Sequence, residues 1–279
     1  MPVAPTDVAS PPASQPTNPR RVIVTRPARE ARRWVEQLSA RGLEALALPL
    51  IEIAAAADPQ ALHAVWSRLD DYLAAMFVSG NAVEQFFASK PAEAPNPWAD
   101  AAIKTRAWAT GPGTCQALLR AGVAPQRIDA PGPEARQFDS EALWQRVGNS
   151  VPAGARVLIV RGADANGQSA GRDWLARQLA AVGAVGDFVV AYERRAPQLN
   201  AAQLAVAGLA AGDGSVWLFS SSEAIANLRL LLPAQDWRAA RALATHPRIA
   251  QAAREAGFGV VCESRPGVDE VVASIESIA

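Results

Sequence analysis

The chain has 279 residues, half of them hydrophobic, with 27 basic and 27 acidic side chains. At about 100–200 residues per domain, this length suits two cored domains. The zero balance excludes a nucleic-acid binder, which needs a basic surface to neutralise phosphates. No run approaches the roughly 20 apolar residues of a membrane helix. The two cysteines, Cys115 and Cys262, are far apart and in no CxxC pattern, which suits a reducing, cytoplasmic compartment. With His63 and His246 they make no motif-like zinc spacing, so no metal is expected.

Residues 1–20, rich in Pro, Ser and Thr, read as a disordered tail without the apolar core of a signal peptide. From Arg21 onward, strands are predicted over 22–25 and 43–48, flanking a helix at 28–41. Strand 73–79 then leads to helix 80–89, and strand 105–110 to helix 112–121. Strand 157–160, helix 172–182 and strand 185–190 follow. The last third adds strand 216–220, helix 222–232, strand 241–244, helix 247–256, strand 259–262 and a final helix. This alternation predicts an α/β fold of parallel sheets covered by helices on both faces.

The chain also repeats itself. RVIVTRP (21–27), followed by a helix and LEALALPLIEI (43–53), resembles RVLIVRG (156–162), followed by a helix and AVGDFVVAYERR (184–195). MFVSGNAVEQF (76–86) resembles LFSSSEAIANL (218–228). RAWATGPGTCQALLRAGV (106–123) resembles RALATHPRIAQAAREAGF (241–258). With these units named C, A and B, the order is C-A-B-C-A-B. The central A-B-C forms one domain, of residues 55–190, inserted into another made of 21–49 and 198–279. The crossings at 50–54 and 191–197 then pair as a hinge ladder. Two successive C-A-B domains are the competing partition.

In open α/β sheets, ligands bind outside the carboxyl ends of the strands. Here those ends read Thr25-Arg26-Pro27, Ser79-Gly80-Asn81, Thr110-Gly111-Pro112-Gly113-Thr114, Arg161-Gly162, Ser220-Ser221-Ser222 and Thr245-His246-Pro247. Each alone is an ordinary helix start. Together they gather helix N-termini along one edge of each sheet, where backbone N–H groups attract carboxylates or phosphates. The ligand expected is polyanionic and larger than one pocket. Nucleotide motifs fail: Gln116 stands where a dinucleotide fingerprint needs Gly, and 162–171 has no Gly-Lys-Ser/Thr. There is no GxSxG elbow or HExxH. Cys115 sits where a helix start favours thiolates, yet without a base nearby in sequence it reads as a buried structural thiol.

The order of TRP (25–27), FVSGNAV (77–83), GPGT (111–114), VLIVRG (157–162), AYERR (191–195) and FSSSEAI (219–225) resembles the uroporphyrinogen-III synthase family, over about 21–278. The resemblance implies two flavodoxin-like doubly wound parallel-sheet domains, one inserted in the other, joined by a two-stranded β-linker. It implies a cofactor-independent lyase that cyclises hydroxymethylbilane, a linear tetrapyrrole polycarboxylate. Loss of the terminal hydroxyl gives an azafulvene, and a spiro intermediate then inverts the last ring to yield uroporphyrinogen III and water. Hand-over from the upstream bilane-forming enzyme is a further implication, and a monomer is expected.

Residue by residue, Tyr192 matches the family's tyrosine beside the cleft, either as general acid to the departing hydroxyl or as an interfacial packing residue. Ser79, Gly111 and Thr114 match the strand-end and helix-start positions of the inserted domain, and Ser221 with Ser220 matches those of the other. They are assigned carboxylate contacts, because no base accompanies them. The family's second Gly-x-x-Thr is replaced by His246-Pro247-Arg248-Ile249, so His246 and Arg248 are the candidates there. Arg26 and Arg161 are either carboxylate partners or structural salt bridges. A two-lobed binding protein without catalysis is the alternative, since fold does not specify function. A nucleotide-dependent transferase would need a phosphate loop.

Overall fold

A computed structural model describes residues 21–92, 98, 104–132, 134, 135, 137–164 and 174–278. The tail expected over 1–20 lies outside these, as do positions 172 and 173 of the helix predicted at 172–182. In chain order come β1 (Val22–Val24), α1 (Ala28–Ser39), β2 (Ala45–Ala47), β3 (Glu52–Ala55) and α2 (Pro59–Trp66). Next are β4 (Ala74–Phe77), α3 (Gly80–Ala88), β5 (Arg106–Ala109), α4 (Pro112–Arg120), β6 (Ile128–Asp129) and α5 (Ser140–Val147). They lead to β7 (Arg156–Ala163), α6 (Trp174–Ala181), β8 (Val185–Arg195), α7 (Ala201–Ala210), β9 (Val216–Phe219) and α8 (Ser222–Leu231). The chain ends with β10 (Arg241–Ala244), α9 (Pro247–Glu255), β11 (Val260–Glu263) and α10 (Val268–Ser277). None of the described helices is long and apolar enough to cross a membrane.

Two sheets form. One runs β2-β1-β9-β10-β11, all parallel, which is the flavodoxin-like order 2-1-3-4-5. The other runs β3-β8-β7-β4-β5-β6 and is parallel apart from β3. In units of the sequence repeat, both sheets have the spatial order C-C-A-B-B, so the second is a circular permutation of the first. The central A-B-C is therefore the set of strands that pair together, and two successive C-A-B sheets are not what forms. The crossings are an antiparallel ladder, Glu52 opposite Arg195 and Ala55 opposite Tyr192.

The strands read as continuous apolar runs because both faces are covered. Residues Val22–Val24, Ala74–Phe77 and Val216–Phe219 are buried throughout. Phe77 and Phe219, equivalent in the repeat, each seed an aromatic cluster. Phe77 meets Phe86 and Trp98 at ring distances of 5.5 and 6.2 Å, and Phe219 meets Trp217 and Phe258 at 6.0 and 5.4 Å. Their indoles are satisfied: Trp98 Nε1 donates to Thr105 O at 3.0 Å, and Trp217 Nε1 to Ala210 O at 3.0 Å.

The sequence reading missed four elements: α2, β6, α5 and α7. The helices carry visible starts. Asp58 caps α2 ahead of Pro59, Asp139 caps α5, and Asn200 with Gln203 forms a capping box on α7. Their cores are too short or too alanine-rich for a clear apolar stripe. A second difference is that 185–190 and 191–195 are one strand. β8 runs unbroken because it exchanges its parallel partner β7 for the antiparallel partner β3.

The linker is pinned to the first sheet's helices. Asn227, buried on α8, donates from Nδ2 to the carbonyl of fully buried Leu50 at 2.8 Å. Arg194 Nε donates to Glu223 at 2.6 Å. Replacing Asn227 with Leu keeps the branching of the side chain but strands the Leu50 carbonyl. We predict a loss of about 1–3 kcal/mol in urea unfolding followed by tryptophan fluorescence; an unchanged midpoint would show that this bond contributes nothing.

Candidate functional site

The switch point of each sheet lies where its strand order reverses, between β1 and β9 in one and between β7 and β4 in the other. Two sets of contacts turn these carboxyl edges toward one another. On one flank, Glu84 of α3 receives Arg33 at 2.7 Å and Arg29 at 3.4 Å from α1, with Arg120 of α4 at 3.8 Å. Asn81 Nδ2 donates to Glu30 at 2.8 Å, and Arg26 donates to the same carboxylate at 3.1 Å. On the other flank, Arg265 donates to Ala135 O at 3.1 Å and stacks over Phe138.

In the inserted unit, Ser79 caps α3, its Oγ accepting from Ala82 N at 3.1 Å. The same Oγ lies 3.1 Å from the Tyr192 hydroxyl. Tyr192 is buried, 3 % exposed, with its ring laid over Gly162. Thr110 donates to Val78 O at 3.2 Å and lies 3.5 Å from Thr114, itself buried. Gly111 starts α4, and a side chain there would meet Phe138. Arg161 stacks its guanidinium 3.8 Å above the Phe188 ring.

In the other unit, Ser221 caps α8 by accepting from Glu223 N at 3.2 Å, and Ser220 is half-buried beside it. Arg26 stacks over Trp34 at 4.5 Å, while its buried Nε meets no acceptor among the described residues. His246 caps α9 through Nδ1, which accepts from Arg248 N at 3.1 Å. A ring nitrogen that accepts carries no proton, so Nε2 holds the imidazole hydrogen. Pro247 has no N–H, and Ile249 and Ala250 both donate to His246 O at 2.9 and 3.1 Å. The start of α9 therefore has no backbone donor left for an anion, and only the His246 and Arg248 side chains remain there.

Apart from Tyr192 within β8 and Arg161 within β7, the site residues singled out from the sequence sit at strand ends or helix starts, but their hydroxyls are partly engaged within the protein. A cavity of about 500 Å³ opens instead beside the linker, lined by Pro27, Arg29, Ile51, Ile53, Asn81, Glu84 and Leu199 among others. Of the strand-end residues read from the sequence, Pro27 and Asn81 line it, whereas Arg26, Ser79, Thr114, Tyr192, Ser221 and His246 do not. The Glu84 cluster and the Gly162 cradle escaped sequence reading, since both depend on contacts far apart in the chain. Among the described residues, no group of His, Cys, Asp and Glu is arranged to hold a metal ion. Cys115 is half-buried, and burial pushes its thiol up, which disfavours a thiolate. His63 lies exposed on α2.

The family model described as uroporphyrinogen-III synthase HemD matches residues 32–273. Two solved structures share the fold. Uroporphyrinogen-III synthetase from Helicobacter pylori aligns with a TM-score of 0.56 at 14 % identity, over 93 % of this chain and 100 % of its own. A mutant uroporphyrinogen III synthase from Thermus thermophilus gives 0.52 at 15 % identity, over 92 % and 98 %.

Two expected outcomes follow from the geometry. Burial first, and Arg248 next, lower the His246 pKa below its usual 6.5, against the raising effect of Asp139 and Glu263. The folded state thus favours neutral imidazole, and the cap's contribution is complete above pH 6.5 and lost as pH falls below it. His246→Asn, a cap that does not titrate, should flatten the decline in melting temperature below pH 6.5; an unaltered slope would clear His246 of this role. Glu84→Gln should loosen the α1–α3 contact, raising the radius of gyration in X-ray scattering, with a smaller wild-type difference at high salt.

Proposed function

Because the chain belongs to the uroporphyrinogen-III synthase family, a lyase that cyclises hydroxymethylbilane to uroporphyrinogen III in tetrapyrrole biosynthesis, we propose that the facing strand ends hold this substrate and that Tyr192 acts as its general acid. The family match over 32–273 carries the activity; the facing edges support the location. The substrate's acetate and propionate carboxylates suit helix starts that still offer amides or hydroxyls: the α3 backbone amides beyond the Ser79 cap, with Gly111 and Thr114, on one side, and Ser220 and Ser221 on the other. Arg26, with its unused Nε, and Arg161 add guanidinium donors. At α9 the donors are His246 Nε2–H and the exposed Arg248 side chain.

The chemistry asked of the protein is small. The terminal C–O bond breaks with its electron pair on oxygen, and the Tyr192 hydroxyl supplies the proton that makes water. The proton released when the last pyrrole regains aromaticity restores the phenol. Ring inversion competes with direct closure to the type I isomer, so holding the chain in one fold decides the product. No residue in this reading needs a cofactor.

We also take 21–49 with 198–279 and 55–190 as separate folding units; sheet membership supports the division. Two unpaired cysteines fit a cytoplasmic setting. A monomer that receives its substrate from the bilane-forming enzyme completes the reading.

The test generates hydroxymethylbilane in situ, oxidises the products and separates the isomers. Purified protein should yield type III, and Tyr192→Phe should lower turnover by about a hundredfold with the fold intact. Type I alone from the wild type would refute the activity, and full turnover in Tyr192→Phe would refute the acid.

A further inference from the structure

A residue used for proton transfer must be held, and Tyr192 is held from two sides by groups with no chemistry of their own. The β7–β8 register shifts between Arg161 and Gly162: Arg161 lies opposite Val190, while Gly162 lies opposite Tyr192. The extra residue, Ala191, makes this a β-bulge, a device that re-aims a side chain. Its effect is visible in the register, for without the shift Gly162 would lie opposite Ala191, and with it Gly162 lies opposite Tyr192. Strict alternation would send Ala191 and Tyr192 to opposite faces. The re-aimed ring then lies where a side chain on Gly162 would stand, so that a Cβ there would collide with three ring carbons.

The second hold is at the hydroxyl. Ala82 N–H donates to Ser79 Oγ at 3.1 Å, occupying one lone pair, and Tyr192 Oη lies 3.1 Å from the same oxygen. We infer that Gly162 and Ser79 are positioning residues for Tyr192: Gly162 by leaving room for the ring, and Ser79 by donating its hydroxyl hydrogen to the phenol oxygen. Oriented this way, the chain of bonds runs from the α3 amide through Ser79 to Tyr192 and leaves the phenolic hydrogen free for the departing hydroxyl. The inference rests on the general-acid reading of Tyr192.

The chain contains two tyrosines, Tyr72 and Tyr192. Full-length protein labelled with 3-fluorotyrosine therefore gives two fluorine resonances, and Tyr72→Phe assigns them. Gly162→Ala and Ser79→Ala should each move the Tyr192 resonance. In unlabelled protein each should lower kcat about tenfold with little change in KM, and Ser79→Thr should restore it. In a Tyr192→Phe background neither substitution should cost more. Equal losses in both backgrounds, or an unmoved resonance in Gly162→Ala, would overturn the positioning roles. If Gly162→Ala does not fold, the Ser79→Ala and Ser79→Thr pair decides by the same cycle. Full turnover in Tyr192→Phe alone would instead overturn the acid on which the inference stands.

Discussion

Strand β8 changes partner along its length, and the rest of the molecule is arranged around that exchange. Its first half adds a parallel edge to β7, while its last residues pair antiparallel with β3. One rigid strand therefore serves as sheet edge, linker and carrier of Tyr192. A loop at this point would leave the tyrosine free to sample many rotamers, whereas a ladder fixes its backbone before any ligand arrives. The bulge at Ala191 brings Tyr192, and not Ala191, opposite Gly162.

Anion recognition in such a molecule does not need net charge. A helix start offers unpaired N–H groups and a favourable dipole, whatever the overall balance. What matters is how many of those groups the protein leaves unused. Caps at Ser79 and Ser221 consume one amide each, whereas at α9 Pro247, the His246 cap and the doubly used His246 carbonyl leave none. The two halves of the site have thus diverged in chemistry while keeping one architecture. At α9 the side chains of His246 and Arg248 stand where the other helix starts keep amides or hydroxyls.

Much of this was legible in the sequence. Buried parallel strands read as unbroken apolar runs, and the internal repeat exposed the C-A-B order that the two sheets share in permuted form. Strand-end positions such as Ser79, Gly111, Ser221 and His246 followed from the same alternation. What was not legible depends on distance in the chain. The Ser79–Tyr192 bond spans 113 residues and the Arg33–Glu84 pair spans 51, so no local pattern announces either. Gly162 reads as a strand-end glycine, yet it leaves space for a ring thirty residues away. Helices α2, α5 and α7 were missed for the opposite reason, because their caps are local signals without a distinct apolar stripe behind them.

The sparse acid–base equipment of the site is consistent with the size of the task. A hundredfold preference for the inverted ring over direct closure corresponds to about 2.7 kcal/mol of differential barrier. Two or three ordinary hydrogen bonds, each worth about 1 kcal/mol net, are enough if they act on one transition state and not the other. Carboxylates spread around a tetrapyrrole provide many such handles, and two sheets facing one another can grip opposite ends of the chain. On the proposal that the strand ends hold the substrate, selectivity would come from the spacing of the two edges, which are tied by the β3–β8 ladder and the Glu84 cluster. A single-sheet protein with the same helix starts would bind the substrate but would not control which carbon of the last ring meets the electrophile.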